Sequence, residues 1–236
     1  MMRTYYFISI FFFFYQSGML VVRAQDVASR EFRVVTSAST ITNSLKYDFA
    51  GEQKTIRVGR SLSSPFPLPD GDLEIYREVF VEGEDEPIRE IVAEVQVPES
   101  LSNVILFVLK DGRGGYRVYP FDDDYDIHKS GYLRLFNMSH LSAAINLNKT
   151  VVVVDPGDFE VIPFSSGPTM VKVAIQGGRD WKIIFNRGSI ARPGMRAYIF
   201  VFDFEKDTYY NVDIPPAPAL VRMYSEKVPE YILDEG

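Results

Sequence analysis

Apolar and polar positions alternate along this chain in short runs, and no stretch carries a sustained apolar repeat every three to four residues with helix caps. The clearest run is Ile91-Val92-Ala93-Glu94-Val95-Gln96-Val97, where Ile91, Ala93, Val95 and Val97 share one predicted face and Glu94 and Gln96 the other. Lys54 to Val58 alternates in the same way. Val104 to Leu109 is apolar throughout and bounded by turn residues, the pattern of a strand covered on both faces. Trp181, Ile183 and Phe185 are expected to alternate inward after the tight turn Gln176 to Asp180. Further strands are expected at Phe32 to Val35, Leu73 to Phe80, Tyr116 to Phe121, Tyr132 to Met138, Ala143 to Leu147, Val151 to Val154, Phe159 to Ile162 and Met170 to Ile175. A closing hairpin is expected from Tyr198 to Phe204 and Thr208 to Ile214, after which Pro215-Pro216-Ala217-Pro218 ends the ladder and residues 221–236 form a tail.

Landmarks recur in order. Glu31 to Ser37 resembles Tyr132 to Ser139 as an opening strand, and Val104 to Val108 resembles Ala197 to Val201. Between them, Pro69-Asp70-Gly71-Asp72-Leu73-Glu74-Ile75 resembles Asp155-Pro156-Gly157-Asp158-Phe159-Glu160-Val161. An internal duplication with a period of about 90 residues explains all three, longer than the repeats of solenoids. Short strands and frequent turns then predict an all-β fold of two tandem immunoglobulin-like antiparallel β-sandwich modules, residues 30–126 and 129–220. The polar bridge Asp122 to Ser130 is read as a solvated linker between them. One large sandwich built from both halves is the structural alternative.

The first 24 residues stand apart. Met1-Met2-Arg3 is a short basic start, Tyr5 to Tyr15 an apolar core of secretory length, and Val22-Arg23-Ala24 a cleavage-like end, so a signal peptide over 1–24 and a mature start at Gln25 are expected. Gln16, Ser17 and Gly18 interrupt the apolar run before the roughly 20 residues a membrane span needs. The expected location is therefore periplasmic or extracellular, with no membrane insertion after cleavage. Loss of Arg3 and Arg23 takes the formal charge from −7 to −9, which argues against nucleic acid as a partner. The chain has no cysteine, so disulfides, thiol catalysis and cysteine-held zinc are excluded.

Candidate chemistry is sparse. Asp122, Asp123, Asp124 and Asp126 could offer oxygens to calcium, but they lack the spacing of a known loop, and no metal is assigned. His128 and His140 are the two histidines, with no zinc-binding spacing, and both are expected as surface or turn residues. Ser139 next to His140 would point to the opposite side of an extended segment, and no Gly-x-Ser-x-Gly elbow is present. Glu74 and Glu160 are expected to face outward, one per module. Gly112, Gly114 and Gly115 fit a hairpin turn. Tyr76, Tyr116, Tyr119, Tyr125, Tyr132, Tyr198, Tyr209 and Tyr210 could form a glycan or protein platform if exposed, though core and sheet-face positions suit a sandwich better. Asn137-Met138-Ser139 and Asn148-Lys149-Thr150 match the glycosylation pattern and are read as incidental. No catalytic, cofactor-binding or metal residue is assigned, and no cofactor is expected.

The series Ile91 to Pro98, Val104 to Leu109, Tyr116-Arg117-Val118, Gly131 to Ser139 and Asp155-Pro156-Gly157 resembles a group of exported bacterial β-sandwich proteins of uncharacterised function. The resemblance implies a signal peptide and sandwich modules, and carries over no site residue. The expectation is an exported, noncatalytic protein with an interaction, structural or assembly role in the cell envelope, its partner a protein or polysaccharide there. The alternative is a secreted carbohydrate-active or hydrolytic enzyme, or a carbohydrate-binding accessory module.

Overall fold

The computed structural model describes residues 30–36, 45–57, 62–83, 86–110, 115–164, 166–203 and 219–229. The leader 1–24, the glycine turn at 111–114, and Tyr209, Tyr210 and the return strand expected at 208–214 lie outside the described residues.

The first half contains β1 (Glu31–Thr36), β2 (Leu45–Phe49), β3 (Glu52–Ile56), β4 (Phe66–Pro67), β5 (Leu73–Val79), β6 (Ile88–Val95), β7 (Asn103–Lys110) and β8 (Tyr116–Asp122). They form two four-stranded sheets, β4-β1-β7-β8 and β3-β2-β5-β6. The second half contains β9 (Tyr132–Met138), β10 (Ala143–Leu147), β11 (Thr150–Val154), β12 (Phe159–Pro163), β13 (Gly167–Gly177), β14 (Asp180–Ala191), β15 (Met195–Asp203) and β16 (Ala219–Lys227). Its sheets are β12-β9-β15-β16 and β11-β10-β13-β14. Adding eight to every strand number of the first half reproduces the second, including the one parallel pair in each, β1 with β7 and β9 with β15. The fold is thus all-β, two sandwiches of one topology. Each has eight strands divided four and four, where the seven-stranded immunoglobulin plan divides four and three.

Two of the three sequence landmarks correspond in space: β1 with β9, and β7 with β15. The Gly-Asp turns do not, because the first leads into β5 of an outer sheet and the second into β12 of an inner one. Both turns use a left-handed glycine, Gly71 at φ 84° and Gly157 at φ 81°. That shared turn chemistry produces the resemblance.

A second correction concerns two bulges. Opposite the step Ile75/Tyr76 the extra residue is Val92, and opposite Val173/Ala174 it is Ile184. Each bulge reverses the sidedness of its strand. Val95 and Val97 point into the core as expected, but Ile91 is exposed; Ile184 and Phe185 pack against the core, while Trp181 and Ile183 face solvent.

The expected tail also differs. Ala219–Lys227 pairs with the whole of β15, from Asp203↔Ala219 to Met195↔Lys227. The prolines at 215–218 therefore precede a strand rather than end the ladder, and the second sandwich takes in residues 221–227 of the segment assigned to a tail.

Each sandwich has its own core. Phe32, Leu45, Tyr47, Ile75 and Leu106 anchor the first, and Leu133, Ile145, Val173 and Ile199 the second. A third apolar cluster joins them: Val35, Ile105 and Phe107 of the first inner sheet meet Phe136, Tyr198, Phe200 and Phe202 of the second. Phe107 stands 4.9 Å from Phe136 and 5.5 Å from Phe200, ring centroid to ring centroid. The molecule is a stack of four sheets, and its two middle sheets are covered on both faces. Continuous apolar strands such as Val104 to Leu109 follow from that position, with burial of each large apolar side chain contributing about 1.5–3 kcal/mol.

Candidate functional site

The acidic run between the sandwiches is the first place to look. Asp123 is fully buried there, so the reading of this bridge as solvated fails at Asp123 and His128, while Asp126, Ile127 and Lys129 are exposed. Its carboxylate is bonded by the Arg33 guanidinium, by Arg196 Nη2 at 3.1 Å, and by the Tyr198 hydroxyl at 3.1 Å. Glu226 closes the cluster, accepting from Arg33 Nη1 at 2.5 Å and from Arg196 Nε at 2.7 Å. Arg33 belongs to β1 and Arg196, Tyr198 and Glu226 to the second sandwich, so the cluster ties one sandwich to the other. Burial alone would raise the Asp123 pKa, but His128 and the two guanidinium groups outweigh it and hold the carboxyl below its ordinary value. Burial, with Asp123 adding to it, raises Tyr198.

His128 is also fully buried, contrary to a surface role. Its Nε2 lies 3.2 Å from the Tyr132 carbonyl oxygen and its ring packs edge-on against Tyr198. Burial lowers its pKa, with Arg196 adding to the effect against the pull of Asp123. Asp122 and Asp124 are structural as well, while Asp126 is exposed. Asp124 Oδ1 accepts from the Asn103 amide at 2.8 Å, Asp122 Oδ1 accepts from the Asp124 amide at 2.9 Å, and the Asp122 carbonyl accepts from Arg134. Oxygens committed in this way have no free geometry for calcium. The neighbouring cavity, about 110 Å³ between Arg33, Tyr125, Arg196 and Glu226, has room for only a few water molecules. This cluster is a clamp.

The other residues singled out by sequence are scattered. Ser139 is buried and donates to Asn137 Oδ1 at 2.7 Å; His140 is exposed, its Nδ1 2.6 Å from Asp203 Oδ1. Asn137 is buried and donates to the Leu141 and Val154 carbonyls, so its side chain is closed to modification in the folded chain. Asn148 occupies a turn at φ 58° and accepts from the Met170 amide at 3.0 Å. Glu74 pairs with Arg89 on the first outer sheet, whereas Glu160 is exposed in the second sandwich. Tyr76 and Tyr198 are buried; Tyr119 and Tyr132 are exposed on different sandwiches. These groups do not converge.

The two outer sheet faces carry the stronger contrast. Because the sandwiches share topology and bulge position, their outward residues can be matched one to one through strand register. On the first, Lys46 pairs with Glu78 at 2.5 Å, Arg89 bridges Asp48 and Glu74, and Arg89 also lies over the Tyr76 ring. On the second, Ala144 stands where Lys46 does, Ala174 where Tyr76 does, Val153 where Thr55 does, Val151 where Gln53 does, and Trp181 where Arg89 does. Val153, Ala144, Ala174 and Ile183 form one transverse row across four strands, with Trp181 beside it. Val151 is 59%, Val153 53%, Ile183 58% and Trp181 42% exposed. Ile91, which matches Ile183, is 44% exposed on the first face too, but there Lys46, Asp48, Glu74, Glu78 and Arg89 form ion pairs around it, whereas among the described residues the second face holds no ion pair.

Charge follows the same division. Residues 73–95 hold two basic and eight acidic residues, a net −6, while the matching residues 167–194 hold five basic and one acidic, a net +4. Next to the apolar row, Asn146, Lys172 and Asn186 form a second transverse row. They line a groove of about 780 Å³ that continues past Asn148, Lys149 and Thr150 toward Phe164. Two lysines and three amides face it, and among the described residues no carboxylate does.

Sequence reasoning missed this face because strict alternation sent Trp181 and Ile183 inward. A signal was present: three consecutive apolar residues, Ile183-Ile184-Phe185, sit opposite a strand that alternates, and Ile91-Val92-Ala93 does the same in the other half. No protein-family model matches the chain, and no curated protein matches it.

Proposed function

We propose that this is an exported, noncatalytic protein with an interaction or assembly role in the cell envelope, and that it docks its partner on the outer sheet of the second sandwich. The observation that supports this reading is the difference between the two outer faces. Equivalent positions on one fold normally seal a solvent face with polar groups, as Lys46, Asp48, Glu78 and Arg89 do on the first sandwich. Four exposed apolar side chains on the second, set in one flat area, are the mark of an interaction surface. The four-sheet stack supplies a rigid support, since the clamp around Asp123 and the Phe107 cluster leave the face no hinge between sandwiches to move on.

The test is photo-cross-linking in the source cells. A benzophenone amino acid in place of Ile183 is expected to give discrete adducts in the envelope fraction, and the same probe in place of Thr55, on the sealed face, to give none. Adducts are expected to disappear when Val153→Glu is added. Equal labelling from both faces, or recovery of the protein in the cytosolic fraction, counts against the proposal.

A further inference from the structure

We infer that the groove beside the apolar row binds an extended anionic polysaccharide, the carboxylate or sulfate groups of the sugar chain meeting Lys149 and Lys172. This rests on the docking-face reading and names its ligand.

The lining chooses the ligand class. Asn146 and Asn186 each offer amide donors and an amide oxygen, Asn148, whose oxygen accepts from the Met170 amide, offers its donors, and the two lysines offer only donors. Such a wall suits a ligand rich in hydroxyl groups, which give and take hydrogen bonds, and in anions. It suits an extended peptide less well, because a peptide backbone brings one N–H donor per residue to a lining on which the two lysines offer donors only.

Charge points the same way. Lys172, Lys149, Arg179, Lys182 and Arg192 take part in no ion pair among the described residues, while the matching hairpin of the first sandwich binds Arg77 and Arg89 in pairs with Glu90, Asp48 and Glu74. Part of this excess has another role. Lys182 and Arg187 sit on the core-facing side of edge strand β14, where charges guard a sheet edge against further pairing. Lys172 is on the outward face in a central strand, and Lys149 is at a hairpin tip; edge protection explains neither.

Dimensions agree. The row Asn146, Lys172, Asn186 runs across three neighbouring strands, so its groups repeat about every 4.8 Å. That spacing is close to the length of one sugar residue in an extended chain. A groove of about 780 Å³ falls within the size of small-ligand sites. The whole face, four strands wide and, on its shorter strands, five residues long, covers on the order of 300 Å², well under the roughly 800 Å² a standard protein interface takes from each partner. Trp181 and Ile183 alongside offer an apolar surface to the C–H faces of the sugar rings.

Trp181 is the chain's one tryptophan, so its fluorescence reads this face directly. The full mature chain is titrated with polygalacturonate, with neutral dextran, and with double-stranded DNA. The expected result is a saturable change in Trp181 emission with polygalacturonate that weakens as salt is raised, little change with dextran, and weaker binding of DNA. The double variant Lys149→Glu/Lys172→Glu is expected to lose about tenfold or more in affinity with its melting temperature unchanged, since both side chains are outside the core. Binding of dextran as tightly as polygalacturonate, tighter binding of DNA, unchanged affinity in the variant, or no response to polygalacturonate overturns the inference. If polygalacturonate fails while Ile183 still cross-links to one protein, the ligand class is wrong and the docking face stands; if both fail, both readings fall.

Discussion

A neutral His128 is the state in which the clamp between the sandwiches closes. Its ring is held by the Tyr132 carbonyl and Tyr198, with Asp123 on one side and Arg196 near it. Protonation would bring a third cation to a buried site that already holds Arg33 and Arg196. The folded-state pKa is lowered, so between that value and the unfolded value of about 6.5 the unfolded chain binds more protons. Stability from this residue is therefore full above about pH 6.5 and falls as the solution is acidified. Asp123, whose folded pKa is also lowered, adds a separate loss only below about pH 4. His128→Gln, which keeps a donor for Tyr132, is expected to flatten the denaturant midpoint between pH 7 and 5, and an unchanged slope would show that another group controls it. Neither residue was legible as buried, because a polar run is read as solvated unless its counter-charges are visible. Arg33 and Arg196 lie 90 and 73 residues from Asp123 in the chain.

At the level of elements, the paired bulges decide more than any other feature. Strand type and approximate limits followed from alternation, and β10, whose Ala143, Ile145 and Leu147 all face the core, reads correctly from sequence. β6 and β14 do not, since one unpaired residue exchanges the two faces of a strand. The exchange can be checked with neighbours. Ile183→Asp is expected to change stability by no more than about 0.5 kcal/mol, while Ile184→Asp, packed against the core, costs about 2 kcal/mol or more. Reversed costs would mean that Ile183 points inward, and the docking face would vanish with it. The same exchange occurs at the matching position in both halves.

For the whole molecule, the third apolar cluster converts two sandwiches into one cooperative body. Phe107 packs against Phe121 of its own sandwich and against Phe136, Phe200 and Phe202 of the other. Phe107→Ala is expected to cost about 3–5 kcal/mol and to move the unfolding transition seen by Trp181, which sits in the far outer sheet of the other sandwich. A Trp181 transition that stays in place would show the sandwiches to unfold separately. The sequence alone determined the all-β class, most of the strands and the existence of a repeat, because periodicity and turn chemistry are local and survive in any register. Only the tertiary structure decided that Asp123 and His128 are buried, that residues 219–227 complete a sheet, and that Trp181 and Ile183 look outward beside a groove lined by Lys149, Lys172 and three asparagines. Each of those outcomes depends on a partner far along the chain or on a single-residue shift in pairing, and neither leaves a mark in the local pattern of apolar and polar residues.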